Sequence, residues 1–168
     1  MKVGELTPAQ KASAGGGFGL ALAALLAILP VWEGKHNAPY RDVVGKLTVC
    51  YGETEVPMRT YSDAECLAML RGRAGAFLDV VKAMNPRIER APYQWAAHAS
   101  LAYNIGTAGY GRSSVRRLFR DGREREACDA IGKYRLAGGK VWKGLINRRN
   151  GDAARFGEIE LCKTGLGA

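Results

Sequence analysis

Histidine is scarce in this chain of 168 residues. There are two, His36 and His98, and neither has a ligand-like neighbour in sequence. The four cysteines, Cys50, Cys66, Cys128 and Cys162, are far apart and form no Cys-x-x-Cys pair. A zinc site is therefore excluded on spacing, and no metal or other cofactor is expected. No segment repeats at a fixed period, and the one biased tract is Gly/Ala-rich and near the N-terminus. Charge is missing altogether from residues 12–32, ASAGGGFGLALAALLAILPVW. What is present suffices for a globular protein: 47% of residues are apolar, which argues against disorder. The length makes one domain with a real core and room for a small appendage.

The net charge of +9 is unevenly placed. Residues 112–168 carry fourteen basic and seven acidic groups, whereas residues 31–111 carry nine and eight. A basic C-terminal third points to an anionic partner or to a solvated helical face. The basic residues follow no zinc-finger, basic-zipper or RNA-recognition pattern, so no nucleic acid is expected. An anionic cell envelope or polymer fits the charge equally well. An even number of cysteines fits two disulfides in an exported domain. Four cysteines allow three pairings. In one of them, Cys50–Cys66 with Cys128–Cys162, each bond closes a local loop.

As a helix the uncharged run would span about 31 Å, enough for a bilayer core. Lys2 and Lys11 precede it, which suits a cytoplasmic N-terminus. Eight of its residues are Leu, Ile, Phe or Val, contributing about −2 to −5 kcal/mol to insertion. Gly15, Gly16, Gly17, Gly19, Ser13 and Pro30 oppose it, so insertion is marginal. Three readings are open. They are a cleaved signal peptide with a site such as Ala21-Leu22-Ala23, an uncleaved weak anchor, and a buried helix of a soluble protein.

After Glu33 the pattern changes. Asn37, Pro39 and Gly45 mark turns, and Lys46–Tyr51 is β-prone, so a small hairpin is expected over 40–53. It brings Asp42 and Thr48 towards the end of a helix carrying Glu33. Two carboxyl groups flanking a glycosidic bond can hydrolyse it. One gives a proton to the leaving oxygen, and the other activates water or attacks the sugar. Two acids alone are equally a helix-end residue and a turn residue.

The wider string is more specific. Trp32-Glu33-Gly34, Tyr40-x-Asp42 and Gly45-x-x-Thr48-x-x-Tyr51-Gly52-x-Thr54 resemble the phage-type lysozymes of glycoside hydrolase family 24. The Glu-x8-Asp-x5-Thr signature of that family is matched residue for residue. Asn104-Ile105-Gly106, Ser113-Ser114, Ala137–Lys140 and Gly144–Arg149 resemble its C-terminal motifs in order, so the resemblance covers roughly 30–157. With the apolar N-terminus, the chain is most similar to the signal-arrest-release endolysins of lambdoid phages, of the phage 21 type.

The resemblance implies an α+β, mainly helical, lysozyme-like fold of two lobes. A β-hairpin N-lobe, a connecting helix and a helical C-lobe would be preceded by an N-terminal apolar helix. It divides the chain into a weak transmembrane segment at 1–30 and a muramidase domain at 31–168. The implied reaction is hydrolysis of the β-1,4 bond between N-acetylmuramic acid and N-acetylglucosamine, with inversion. Glu33 would be the general acid, Asp42 would assist the attacking water, and Thr48 would help hold it. Asn104 and Arg148 would be substrate-binding residues, Arg148 lying near Glu33. The implied partners are peptidoglycan glycan strands and, through residues 1–30, the host inner membrane, with a monomer released into the periplasm. Cleavage would remove the helix that positions Glu33, which argues against a signal peptide. Glu53 and Asp152 depart from the family, which often has His and Glu there. The competing readings are a non-catalytic cationic membrane disruptor, and a transglycosylase or chitinase on the same fold.

Elsewhere, Ser62-Asp63-Ala64-Glu65 is a capping box that starts a helix running to about Met84. Pro92 opens the next helix, whose core face is Trp95, Ala99, Ala102 and Tyr103. Ser113 or Ser114 caps a short helix closed by Gly122, and further helices are expected at 123–136 and 144–156. His98 reads as a core residue. Tyr103, Tyr110 and Trp142 are core residues or sugar-stacking platforms.

Overall fold

The computed structural model describes residues 16–42 and 45–166. Helix α1 (Gly17–Glu33) leads into an antiparallel hairpin, β1 (His36–Arg41) and β2 (Leu47–Cys50). The long helix α2 (Asp63–Met84) follows, then a 3-10 turn (Pro86–Arg90) and helix α3 (Pro92–Ile105). The C-terminal part holds α4 (Thr107–Gly111), α5 (Ser114–Arg120), α6 (Glu124–Ala130) and a 3-10 turn (Ile131–Lys133). A two-residue hairpin, β3 (Leu136–Ala137) and β4 (Lys140–Val141), precedes α7 (Lys143–Asn150) and α8 (Glu158–Lys163). This is the mainly helical, lysozyme-like arrangement expected from the sequence.

Helix α3 is the hub, packed by α1, α2 and α8. Ten consecutive residues, Gln94 to Tyr103, are buried, so the helix is covered on every side. Helix α1 lays Phe18, Leu22, Leu25, Ile28 and Leu29 against it. The Phe18 ring meets Trp95 edge-on at 5.7 Å, and Trp95 Nε1 donates to Leu78 O of α2 at 2.8 Å. One aromatic cluster thus ties three helices together. At the N-terminal end of α1 the contact is closer still. A Cβ on Gly17 would lie 2.2 Å from Glu89 O, so only glycine fits there.

The capping box forms as expected: Glu65 N donates to Ser62 Oγ, and Ser62 N donates to Glu65 Oε2. Helix α2 stops at Met84, two residues before Pro86. The first hairpin begins earlier than expected, because Asn37 anchors β1 to the start of α2. Tyr61 N donates to Asn37 O, and Asn37 Nδ2 donates to Asp63 Oδ1. The helix expected over 123–136 ends at Ala130, and the one over 144–156 ends at Asn150. Sulfur–sulfur bonds join Cys50 to Cys66 and Cys128 to Cys162.

The uncharged run begins at Ala12, and residues 12–15 lie outside the described residues. Among the described residues no helix is long and apolar enough to cross a membrane. The boundary expected at 30/31 falls inside α1, which continues through Pro30 to Glu33.

Candidate active site

Helix α1 delivers Glu33 as its last residue, on the rim of a cleft of about 550 Å³. Trp32, Asn104, Trp142, Leu145 and Arg148 share that cleft. Arg148 Nη1 donates to Glu33 Oε1 at 2.5 Å. Arg148 lines the cleft but is only 4% exposed, and its other donors are also engaged. Nε reaches Glu158 at 3.0 Å, and Nη2 reaches Ser100 O at 3.2 Å. Burial alone would push the Arg148 pKa down, but the carboxylates of Glu158 and Glu33 outweigh it and raise it. Its geometry is that of a residue that holds Glu33.

Asn104 is exposed near the end of α3, and its Oδ1 accepts from Arg149 Nη2. Asn104 also lines the cleft, so the bond from Arg149 fixes a residue of the cleft wall. Trp32 is held from the other side. Its Nε1 donates to Phe156 O at 3.3 Å, and the Arg155 guanidinium sits 4.2 Å over its ring.

Asp42 and Thr48 form a second group, on the first hairpin. Lys46 O accepts from both Asp42 N and Thr48 Oγ1, each at 3.0 Å. Lys46 N returns a bond to Asp42 Oδ1 at 2.8 Å. The turn thus locks the Asp42 carboxylate to the backbone beside Thr48, which is 3% exposed. Gly34, Lys35 and strand β1 separate Asp42 from Glu33 in the chain, and Thr48 follows on β2. The spacing seen in the sequence becomes a helix end, a strand and a turn.

Among the aromatic candidates, Tyr103 and Tyr110 are buried and belong to the core, while Trp142 is 57% exposed on the cleft wall. His98 is fully buried beside Tyr110. Glu53, where the family often has histidine, pairs with Arg73 of α2 at 3.5 Å. Asp152 pairs locally with Arg155, whose guanidinium holds its carboxyl below the usual range. The acid that both Arg148 and Arg149 meet is Glu158, which no motif in the sequence singles out. Among the described residues no cluster of three His, Cys, Asp or Glu could hold a metal ion.

Comparison with known proteins agrees with this architecture. The phage lysozyme family profile matches residues 30–152. A SAR-endolysin of bacteriophage PS119 is 38% identical over 122 residues, covering 70% of this chain and 71% of that protein. The SAR-endolysin of enterobacteria phage P21 is 35% identical over 147 residues, covering 82% and 87%. The crystal structure of the active form of the P1 phage endolysin Lyz has the same fold. Its TM-score is 0.68 at 21% identity, over 90% of this chain and 84% of that one. A profile match over most of the length, with relatives more than a third identical, establishes that the chain belongs to the phage lysozyme family and is an endolysin of the glycosidase class.

Proposed function

We propose that the enzyme is a muramidase that hydrolyses the β-1,4 bond between N-acetylmuramic acid and N-acetylglucosamine. The observation that carries this reading is the Glu33 carboxyl, ending a docked helix on a cleft rim and held in one orientation by Arg148. In the proposed reaction Glu33 gives its proton to the glycosidic oxygen as the C1–O bond breaks. A water held by Thr48 attacks C1 from the opposite face, and Asp42 takes its proton. The configuration at C1 inverts. Asn104 contacts a substrate amide, and the enzyme acts as a monomer. Mass spectrometry of the digest tests the bond: the proposal requires reducing N-acetylmuramic acid ends. Products ending in 1,6-anhydro sugars would make it a transglycosylase, and reducing N-acetylglucosamine ends would move the cut to the other linkage.

The proposal extends to export. Helix α1 is apolar on all faces, yet only one face is covered, and Leu20 and Val31 are each 44% exposed. A helix shaped only for the docked position would carry polar residues on its outer side. The name SAR-endolysin, borne by relatives that cover most of this chain, fits a segment with two environments. In the membrane, the run gains about 2–5 kcal/mol. Docking buries Phe18, Leu22, Leu25, Ile28 and Leu29 at about 1.5–3 kcal/mol each, an upper bound of about 7–15 kcal/mol. Docking is thus at least comparable to insertion, so a tethered enzyme would be held inactive only until the run leaves the bilayer. While tethered, Glu33 stays at the bilayer surface, away from Arg148. Replacing Gly15 and Gly16 by Leu, with Gly17 kept because the docked fold needs it, strengthens insertion and should lock the tether. Normal release and normal lysis by that variant would contradict it.

A further inference from the structure

Glu158 opens α8 and is 0% exposed. Its two carboxylate oxygens serve two different arginines. Oε1 accepts from Arg148 Nε at 3.0 Å and from Ser100 Oγ at 2.6 Å, while Oε2 accepts from Arg149 Nη1. Each arginine then continues to a different residue of the cleft. Arg148 reaches Glu33 at the end of α1, and Arg149 reaches Asn104 near the end of α3. One buried carboxylate is thereby linked, through two guanidiniums, to cleft residues from two separate elements.

The backbone around Glu158 is built for this placement. A Cβ on Gly157 would lie 2.2 Å from Gly151 N and 2.3 Å from the carbonyl carbon of Asn150. Only glycine lets the chain press back on the end of α7, next to Arg148 and Arg149. Two adjacent buried guanidiniums repel each other, and without Glu158 neither has a buried carboxylate to balance its charge. Arg148 would then lose the bond that fixes its direction, and Arg149 would leave Asn104.

We propose that Glu158 is a positioning residue of the reaction, setting Glu33 and Asn104 relative to one another without touching substrate. This rests on the reading of Glu33 as general acid. Helix α8 stays attached when Glu158 is changed, because Cys162 is bonded to Cys128 and Leu161 is buried.

The test compares wild type, Glu158→Gln, Glu33→Gln and the double variant on a soluble, uncross-linked peptidoglycan oligosaccharide, with thermal melting of each. The expected results are a folded Glu158→Gln with kcat lower by about 10- to 100-fold, as for a misplaced catalytic group, and a raised KM from the released Asn104. The double variant should be no slower than Glu33→Gln alone, because residues that act through one another do not add. A folded Glu158→Gln with wild-type kcat, or losses that multiply in the double variant, would overturn the proposal. A Glu33→Gln variant as fast as the wild type would instead bring down the general-acid reading, and this one with it. If Glu158→Gln melts below the assay temperature, Ser100→Ala gives the same readout. It removes the bond to Glu158 Oε1 and a longer one from Arg148 Nη2 at 3.3 Å, while Arg148 keeps Ser100 O. It should lower kcat about three- to tenfold, and an unchanged kcat would again overturn the proposal.

Discussion

Arg148 Nη1 and Glu33 Oε1 are 2.5 Å apart although 115 residues separate them in the chain. The bond joins the last residue of α1 to α7, so Glu33 has its orientation only when α1 is docked. Every branch of the guanidinium is used, on Glu158, Glu33 and Ser100. Arg148→Met leaves two acids without this partner. Breaking a buried pair in this way costs about 3–5 kcal/mol, which urea unfolding will read as a lower midpoint. Arg148→Lys keeps the charge but cannot reach all three groups, so it should recover stability only in part and activity very little.

Gly17 is the second point on which docking depends. The carbonyl of Glu89 occupies the space where a side chain would begin. Gly17→Ala should cost about 1–3 kcal/mol, as overpacking does. Limited proteolysis should then cut within α1 at a denaturant concentration where the wild type resists. Equal protection of the two proteins would show that the contact relaxes without cost.

Acid should destabilise the fold through His98. Burial pushes its imidazole down from 6.5 to about 3. Between those values the unfolded chain holds a proton that the folded protein does not. Stability from this group is therefore complete above about pH 6.5 and falls as pH drops towards 3, by about 1.4 kcal/mol per pH unit. His98→Leu loses the bond shared with Tyr110 Oη at 2.8 Å, so it is less stable at neutral pH. Its stability should nevertheless depend less steeply on pH between 6.5 and 3. Parallel slopes for the two proteins would contradict the assignment.

The disulfides close loops with sequence separations of 16 and 34 residues. Loop closure gives them about 3 and 4 kcal/mol respectively. Removing Cys128–Cys162 by double substitution to alanine should lower the urea midpoint slightly more than removing Cys50–Cys66. It should also lower activity, because Cys162 anchors the helix that carries Glu158. A variant lacking Cys128–Cys162 with full activity would show that packing alone fixes α8.

What could be read from the sequence was local. Glu33, Asp42 and Thr48 lie in one short stretch, and their spacing survives as a helix end, a strand and a turn. The Ser62–Glu65 capping box and the stop before Pro86 are set by neighbours in the chain, and both ends of α2 followed from them. Glu158 has no such mark. Glu160, two residues on, is also acidic and is exposed, and only contacts across the fold tell the two apart. The sequence reading places α7 over 144–156, whereas the helix stops at Asn150. It ends there because Gly151 takes a left-handed C-cap conformation and Gly157 packs back on it six residues later, a local stop that a glycine after Asn150 does signal. The β3–β4 hairpin did carry a local signal, Gly138-Gly139 between Leu136-Ala137 and Lys140-Val141. Its strands are too short to show alternation.

In the proposed reaction Glu33 supplies the proton that breaks the glycosidic bond. Purified peptidoglycan incubated with wild type and with Glu33→Gln, each shown folded by its melting transition, tests it most directly. New reducing ends and loss of turbidity are expected with the wild type, and only a small residual rate with Glu33→Gln. Solubilisation by Glu33→Gln at a rate close to that of the wild type would contradict it.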